Sequence, residues 1–410
     1  MHRHVALACA LAALPALAHA QQPRTRVTRT TTTTTVAPAP ERGAFVVTLG
    51  SDTVAAERYT RAAGRLEGDV FQRSPVARVT HYVVTLDARG RPARAELRTR
   101  RPDGTPVPNA ALGTVVTFRA DSAFAEVQRA DSTARFAATA PAGTFPSGGG
   151  TVVMPWALWD HALRGLRAAG RDSGAVLVWG PGAPQPEPLA VTLRGDTARL
   201  DYFGDPMLLQ VDRRGALLAV DGTGTTNKVR AVRVADVDVA AMARTFAARP
   251  ALGNLSPLDS AQGAAGSARL TVVYSRPSVR GRTVWGGLLV PYGQVWRTGA
   301  NAATVLRTSA DLVIGGTRVP AGTYTLFTLP GADSAQLIIS RRPGGSGTEY
   351  DAAQDLARVP LTVTTLAAPV EQFTIAVEPA AGAQAGASGA ANLVMRWGDR
   401  QLSVPVQAAP

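Results

Sequence analysis

The sequence predicts a mainly β protein in which a curved antiparallel sheet with one helix is followed by an antiparallel β-sandwich. Short runs rich in β-branched and aromatic residues recur from Phe45 onward, and turn-forming residues separate them. Apolar residues at helical spacing stand out near residues 155–169. Beyond residue 257 the runs alternate between apolar and polar positions. Turn signals separate them about every eight to twelve residues, which is typical of a β-sandwich.

The N-terminal segment, residues 1–20, has the pattern of a signal peptide that is cleaved after Ala20. Arg3 precedes an apolar stretch over residues 5–17, and residues 18–20 form an A-x-A site. The stretch is too short to span a bilayer, and Cys9 lies too early in it for lipid attachment. Cleavage removes Cys9, the only cysteine, so no disulfide or thiol nucleophile is expected. We therefore expect an exported protein, periplasmic or extracellular, with at most peripheral membrane association.

Residues 21–42 are rich in Thr and Pro and are predicted to be a disordered linker. Residues 43–240 are predicted to form an antiparallel β domain of eleven or twelve strands. The tetrapeptides at 87–90, 101–104 and 212–215 each end in Gly and predict tight turns.

One amphipathic helix is predicted near residues 155–169 of this domain, packed on the sheet. Pro155 marks its start and Gly170 its end, which are the positions that these residue types favour. The apolar residues at helical spacing are Trp156, Trp159, Leu163 and Leu166.

A boundary is predicted after this domain. Two helical turns are expected around 239–248, and Pro250, Gly253 and Pro257 follow within a linker over 241–256. Residues 257–407 are predicted to form the β-sandwich domain, whose runs alternate over one buried face.

The formal charge of +13 suggests a nucleic-acid or anionic-surface partner, but the spacing of the charges argues against it. Lys228 is the only lysine among 43 basic Lys and Arg residues, and the arginines are spread along the chain among 30 acids. Such a bias, with much Ala, Gly and Pro, is typical of a GC-rich genome. Because no basic cluster with interleaved aromatics occurs, no nucleic-acid binding is expected.

Few residues of the sequence suit catalysis. After cleavage the histidines are His81, in a predicted strand, and His161, in the predicted helix, and both are interpreted as packing or surface residues. The second domain has neither His nor Cys, which excludes a Ser-His-Asp triad or an imidazole zinc site within it. The run over 221–227 has oxygen ligands at alternate positions but a single acid, and is interpreted as a turn. No catalytic residue, metal or cofactor is predicted.

A polar and aromatic group within 28 residues of the second domain is the candidate ligand-binding site. Arginine suits carboxylate or phosphate, and Trp and Tyr offer faces to sugars or apolar rings. One hypothesis is therefore an anion- or sugar-binding pocket on loops at one end of the sandwich. The alternative is that Trp285 and Trp296 are core, while Arg276 and Arg297 satisfy loop carbonyls and pair with acids such as Asp351 or Asp355. The candidates are Tyr274, Ser275, Arg276, Arg282, Tyr292, Trp296, Arg297, Thr298 and Asn301.

The second domain resembles a known family. The stretch over 273–305, which contains WRTGAN, together with PAGTYTLFTLP at 320–330 and NLVMRWGDRQLSVPV at 392–406, is similar to the family called domain of unknown function 2911, over about residues 255–406. The family resembles exported bacterial β proteins without an established activity. The first domain resembles, in architecture alone, the LolA-type lipoprotein carriers, which hold acyl chains between sheet and helix.

These observations favour an exported, non-catalytic binding or envelope-associated protein, whose partner is an unknown small molecule, sugar or lipid. One alternative is a periplasmic lipid or lipoprotein carrier, with Trp156 and Trp159 lining a cavity under the helix. The other is a hydrolase that acts at the domain junction through Asp201, Asp205 and Asp221. A carrier predicts a dry apolar cavity, whereas a hydrolase predicts converging carboxylates in a polar cleft.

Overall fold

A computed structural model describes residues 39–150, 153–202, 205–380 and 389–410. The predicted signal peptide, and the predicted linker up to residue 38, lie outside the described residues. Residues 39–410 form one compact unit that contains two sheets, so the mainly β fold class is confirmed. No helix among the described residues has both the length and the apolar character to cross a bilayer.

The first sheet has fifteen strands rather than the expected eleven or twelve, and only its β9–β10 edge pair is parallel. The additional strands include β7, whose buried positions Ala123 and Ala125 are small residues that give a weak hydrophobic signal. The strands are β1 (Glu41–Leu49), β2 (Asp52–Ala62), β3 (Arg65–Gln72), β4 (Arg78–Leu86), β5 (Pro92–Arg100), β6 (Gly113–Arg119), β7 (Ser122–Gln128), β8 (Thr133–Thr139), β9 (Phe145–Pro146), β10 (Ser173–Trp179), β11 (Glu187–Arg194), β12 (Thr197–Tyr202), β13 (Asp205–Val211), β14 (Leu217–Asp221) and β15 (Arg230–Val234).

Strand β1 lies in the middle of this sheet, although it comes first in the chain. It pairs with β2 on one edge and with β15 on the other, so the order is β8 to β1, then β15 down to β9. The predicted tight turns are present: the amide of Gly90 donates to the carbonyl of Asp87, and that of Gly215 donates to the carbonyl of Asp212. Both glycines have positive φ, which favours Gly over other residues.

The predicted helix is α1 (Trp156–Ala168), with Pro155 at its N-terminal boundary. Trp156, Trp159 and Leu163 are buried in the main core of the first sheet, so the helix packs on the sheet as expected. Gly170 follows with a φ of 64°. Fully burying aromatic and leucine side chains contributes about 1.5–3 kcal/mol each, and this burial holds the helix in place.

The helical turns predicted around 239–248 are also present, as α2 (Val239–Ala247). The Asp238 side chain accepts a hydrogen bond from the amide of Ala241 and caps the helix. Phe246 stacks on Phe71 of β3 with the ring centroids 5.6 Å apart. Neighbouring Val70 belongs to the core that α1 covers, so α2 covers the opposite face of the sheet.

The second sheet has nine strands, in the order β16-β17-β18-β21-β22-β23-β24-β19-β20. One strand, β23, is continuous over 25 residues; it pairs first with β22 and then with β24, and the pairing with β24 contains two register shifts. It thereby carries the chain between the two faces that enclose the main core, and the fold is sandwich-like. The strands are β16 (Leu258–Ala265), β17 (Ala268–Ser275), β18 (Thr304–Thr308), β19 (Leu312–Ile314), β20 (Thr317–Val319), β21 (Gly322–Pro330), β22 (Ala335–Ser340), β23 (Asp355–Pro379) and β24 (Ala391–Ala408), with a short 3₁₀ turn at Ala352–Gln354.

Candidate functional site

A cleft of about 880 Å³ lies at the junction of the two sheets, lined by residues of both. Its first wall consists of the ends of β1 and β12 and the β14–β15 loop. Its second wall consists of the ends of β16 and β17, the long β17–β18 loop, and the loop after β22. The lining residues are Leu49, Ser74, Tyr202, Thr226, Asn227, Lys228, Asn254, Leu255, Ser256, Leu258, Ser275, Pro277, Ser278, Arg280, Arg282, Leu289, Trp296, Arg297, Gly299, Ala300, Asn301, Ser346, Thr348 and Trp397.

Polar contacts hold the two walls together at the tight turn between β1 and β2. The amide of Ser51 donates to the carbonyl of Arg280 over 3.0 Å, and the Arg280 guanidinium pairs with Asp52. Gly50 has a φ of 59°, and a Cβ atom there would lie 2.1 Å from the Arg280 carbonyl oxygen. Only glycine therefore permits this close approach of the two backbones.

A second bridge between the walls is made by Lys228. Its Nζ donates to the carbonyl of Leu288 over 2.9 Å. Lys228 ends the loop between β14 and β15 with a φ of 57°. The loop residue thus reaches from the first sheet to the β17–β18 loop of the second.

The lining of the cleft is cationic. Lys228, Arg280, Arg282 and Arg297 belong to it, and none of its described residues is Asp, Glu, His or Cys. Asp52 neutralises Arg280 from outside the lining. Among the described residues, no carboxylate lies within 4.0 Å of the charged groups of the other three. The cleft therefore carries positive charge without a directly paired counter-ion, and Asp205 acts on Lys228 and Arg297 only from beyond 4.0 Å.

The two arginines without a carboxylate partner are fixed by backbone carbonyls. Arg282 donates to the carbonyls of Val279 and Ser278, over 2.9 and 2.6 Å, and Arg297 donates to that of Asn301 over 3.1 Å. A guanidinium has five N–H donors, so both retain donors for a ligand. These contacts orient the guanidinium groups without neutralising them.

The charged forms of the cationic side chains in the cleft are destabilised. Burial lowers the pKa of Arg297, which Asp205 partly opposes, and burial with the like charge of Arg280 lowers the pKa of Arg282. Burial also lowers the pKa of Lys228, from 10.5 to about 8; the negative charge of Asp205 opposes this shift, and the charges of Arg297 and Arg282 add to it. A bound anion would relieve both effects because it replaces lost solvation and opposes the mutual repulsion.

The aromatic residues of the cleft belong mainly to the core. Trp296 is 7% exposed and Trp397 is 1% exposed, and they stack on each other with the ring centroids 5.8 Å apart. Trp285 packs edge-on against Trp296, and its indole N–H donates to the carbonyl of Trp397 over 2.8 Å. The structure therefore agrees with the interpretation of Trp285 and Trp296 as core residues, which leaves little ring face for a ligand.

Part of the predicted ligand-binding group lines the cleft: Ser275, Arg282, Trp296, Arg297 and Asn301. The other members lie elsewhere. Tyr274 is buried against the backbone of Ile375, and Thr298 is buried with its hydroxyl 2.7 Å from that of Thr328. The ring of Tyr292 lies beneath Arg400.

Arg276, also a member of the predicted group, uses all three nitrogens of its guanidinium group in contacts with β16 and β23. It donates to the carbonyl of Phe373, to the Thr374 hydroxyl and to Asp259. The expectation that Arg276 and Arg297 satisfy backbone carbonyls agrees with the structure, whereas the expected pairing with Asp351 or Asp355 is wrong. Asp355 instead accepts from Tyr350 and Arg358, while Asp351 caps the short 3₁₀ turn. The pairing of β16 with β17 instead brings Asp259 beside Arg276.

The contribution of the first sheet to this cleft was not predicted from the sequence. Lys228 was noted only as the single lysine, and Arg280 was not a candidate. A signal was present, because Lys228 follows a Gly- and Thr-rich loop. What no spacing could show is that this loop meets a second loop more than fifty residues later in the chain, as the Lys228–Leu288 bond requires.

The region under α1, where a carrier cavity was expected, contains a buried ionic cluster. The Glu57 carboxylate accepts hydrogen bonds from the amides of Trp156 and Ala157 and from the hydroxyl of Tyr82. Trp156 and Trp159 are 2% and 0% exposed and pack in the core. Neither tryptophan lines the cleft between the sheets.

Asp160 of α1 is the centre of this cluster. Its carboxylate receives hydrogen bonds from Arg61, Arg164 and Arg233, and from the amide of Leu217 over 2.7 Å. Burial opposes ionisation of Asp160, but the three guanidinium charges outweigh it and lower its pKa. Sequence spacing could not reveal this group, because its members come from β2, α1 and β15.

Other residues weighed for catalysis are engaged locally. His81 lies beside Asp69, and Nε2 of His161 is 2.7 Å from the carbonyl of Gly90. Asp221 accepts hydrogen bonds from Thr223 and Arg230, and these local contacts agree with the interpretation of this loop as a turn. Asp201, Asp205 and Asp221 are not lining residues of the cleft. Within the described ranges, no three His, Cys, Asp or Glu residues are grouped to hold a metal ion.

Comparisons with known proteins agree with the resemblance seen in the second half of the chain. No curated protein matches the sequence. One similar solved structure is a crystal structure described as a beta-barrel-like protein of domain of unknown function DUF1849, from Brucella abortus. The match covers 47% of this chain and 94% of the Brucella abortus chain, with 12% sequence identity and a TM-score of 0.28. The model of the family described as "Protein of unknown function (DUF2911)" matches residues 256–406. The resemblance seen in the sequence over about residues 255–406 is thus confirmed, because the DUF2911 family model matches residues 256–406.

Proposed function

We propose that this protein binds a small organic anion in the cleft between its two sheets. The observation that carries the proposal is a lining with four cationic side chains and no acidic residue among those described. Because Arg282 and Arg297 are oriented by carbonyls and keep unused donors, they can receive a carboxylate or phosphate with little rearrangement.

An anion fits the lining better than a neutral sugar does. Sugar sites stack the ligand on exposed aromatic faces. Trp296 and Trp397 are almost entirely buried and stack on each other, so neither offers a free face. Leu49, Leu255 and Leu289 provide apolar contacts beside the charges, which suits an anion with a carbon skeleton.

The alternative functions gain less support from the described residues. A hydrolase at this junction would need converging carboxylates in the cleft, and its described lining has none. A carrier with a lipid under α1 would displace tryptophans that are packed into the core. We propose a binding role, exercised outside the cytoplasm after removal of the N-terminal segment, on the basis of the signal-like pattern of residues 1–20.

The test is calorimetric titration of the purified protein with citrate as the anionic probe and glucose as the neutral one. Replacing Arg297 or Arg282 with Ala should lower the citrate affinity about 10- to 100-fold, the range expected for a lost charge-assisted hydrogen bond. Arg307→Ala is the matched control, because Arg307 is exposed on β18 and lies outside the lining. The proposal would be overturned if all three variants bound citrate as tightly as the wild type does, or if the wild type bound glucose more tightly than citrate.

A further inference from the structure

The single lysine of the chain is placed where a primary amine can meet a bound anion. Lys228 lines the cleft together with Arg282 and Arg297, which lie close enough for their charges to act on it. Every other basic Lys or Arg position of the protein carries arginine. A guanidinium could also donate the hydrogen bond that Lys228 makes to Leu288, so that bond alone does not explain the lysine.

We propose that the Lys228 amine forms an imine with a carbonyl group of the anion held in the cleft, so that the ligand is an oxo acid. This inference rests on the proposed anion-binding function. The arginines would hold the carboxylate, and the carbonyl carbon next to it would face the amine.

The chemistry requires a neutral amine at the start. The lone pair of Nζ attacks the carbonyl carbon, forming the C–N bond. The two hydrogens of the neutral amine pass to the carbonyl oxygen, the C–O bond breaks and the oxygen leaves as water, which gives a C=N bond without any oxidation or reduction. Among the described residues, no carboxylate pairs directly with Nζ within 4.0 Å, although the more distant Asp205 favours the ammonium form.

Burial in this cationic setting supports the step. It lowers the pKa of Lys228 to about 8, so at pH 8 about half of the amines are neutral. An ordinary solvent-exposed lysine, with a pKa of about 10.4, is less than about 1% neutral at that pH. The hydrogen bond to Leu288 uses one N–H and fixes the direction of the amine.

The test is reductive trapping with glyoxylate, the smallest oxo acid, and sodium cyanoborohydride at pH 8. Nα-acetyl-lysine in the same tube is the reference amine, and peptide mass spectrometry identifies the modified site. We expect Lys228 to be labelled at least about tenfold faster than the reference amine. Its neutral fraction is larger, and the arginines bind the glyoxylate carboxylate next to it. Arg297→Ala should lower the rate with glyoxylate but not with acetaldehyde, which has no carboxylate.

Two further measurements separate this inference from the anion site itself. Lys228→Arg preserves a hydrogen-bond donor toward Leu288 and should still bind citrate while losing all labelling at this position. Citrate binding that depends on Arg297, combined with labelling of Lys228 no faster than the reference, would overturn the imine and leave the anion site standing. Rapid labelling that is equal for glyoxylate and acetaldehyde, with no citrate binding, would reject the arginine-held oxo acid and the anion site together.

Discussion

The buried carboxylate under α1 makes the stability of the protein depend on pH. Burial raises the pKa of Glu57 from 4.5 to about 7, against the effect of the hydrogen bonds from Tyr82 and from the amides of Ala157 and Trp156. The folded protein thus keeps this proton up to about pH 7, whereas the unfolded chain releases it near pH 4.5. The stability that Glu57 contributes is therefore fully present below pH 4.5 and is lost as pH rises through 7.

The size of this loss follows from the two pKa values. Each pH unit between them is worth about 1.4 kcal/mol, so the full loss is about 3 kcal/mol. Between pH 5 and pH 8 the wild type should lose about 2–3 kcal/mol through Glu57. The Glu57→Gln side chain has no proton to release and can still accept hydrogen bonds from the helix amides. The variant should therefore not show this pH-dependent loss of stability.

The measurement is urea unfolding of the wild type and of Glu57→Gln at pH 5 and pH 8, followed by tryptophan fluorescence. The stability of the variant relative to wild type should rise by about 2–3 kcal/mol from the lower to the higher pH. Glu67→Gln is the control, because Glu67 is accessible to solvent on β3 and pairs with Arg65 at the surface. A relative stability of Glu57→Gln that is unchanged between the two pH values would refute the reasoning.

Other changes test the packing that surrounds the two sites. Asp160→Asn should destabilise the protein by up to about 3–5 kcal/mol in urea, because the three guanidinium groups lose their buried counter-charge and keep only the partly exposed Glu41. Asp172→Asn, at the surface, should have little effect, and equal losses would contradict the cluster's role. Trp296→Ala should cost about 3–5 kcal/mol of stability without ligand, and a loss of citrate affinity alone would show that Trp296 is not core. Gly50→Ala should lower the melting temperature, because a left-handed non-glycine residue costs about 1–2 kcal/mol and its Cβ would meet the Arg280 carbonyl; an unchanged melting temperature would show that the turn can move aside.

The sequence was most informative where the signal is local. Pro155 and Gly170 bounded α1 to within a residue or two, because a helix end depends on the backbone preferences of the residues at that end. The turn at 87–90 was predicted for the same reason. The DUF2911 resemblance rested on a long contiguous motif, which a single sequence displays in full.

The contacts that define the cleft depend on residues far apart in the chain. Arg297 and Arg282 were candidates because they lie in one loop, but Lys228 joins them only when the first sheet meets that loop. Arg276 looked equally suitable, yet β16 and β23 supply Asp259, Phe373 and Thr374 to occupy it. Residue type predicted what an arginine can bind, whereas the pairing of strands decided which arginine is available.

The central position of β1 has a consequence for how the chain is assembled. A ribosome makes β1 first, yet its partner β15 ends at Val234, so one edge of β1 stays open until most of the first sheet has been synthesised. The strands before α1 and the strands after it can each pair through local hairpins. Pairing of β1 with β15, in contrast, must bring Ala44 and Val234 together across nearly the whole first sheet. Closing that ladder joins two half-sheets into one, and until then the open edge offers a template for pairing with another nascent chain.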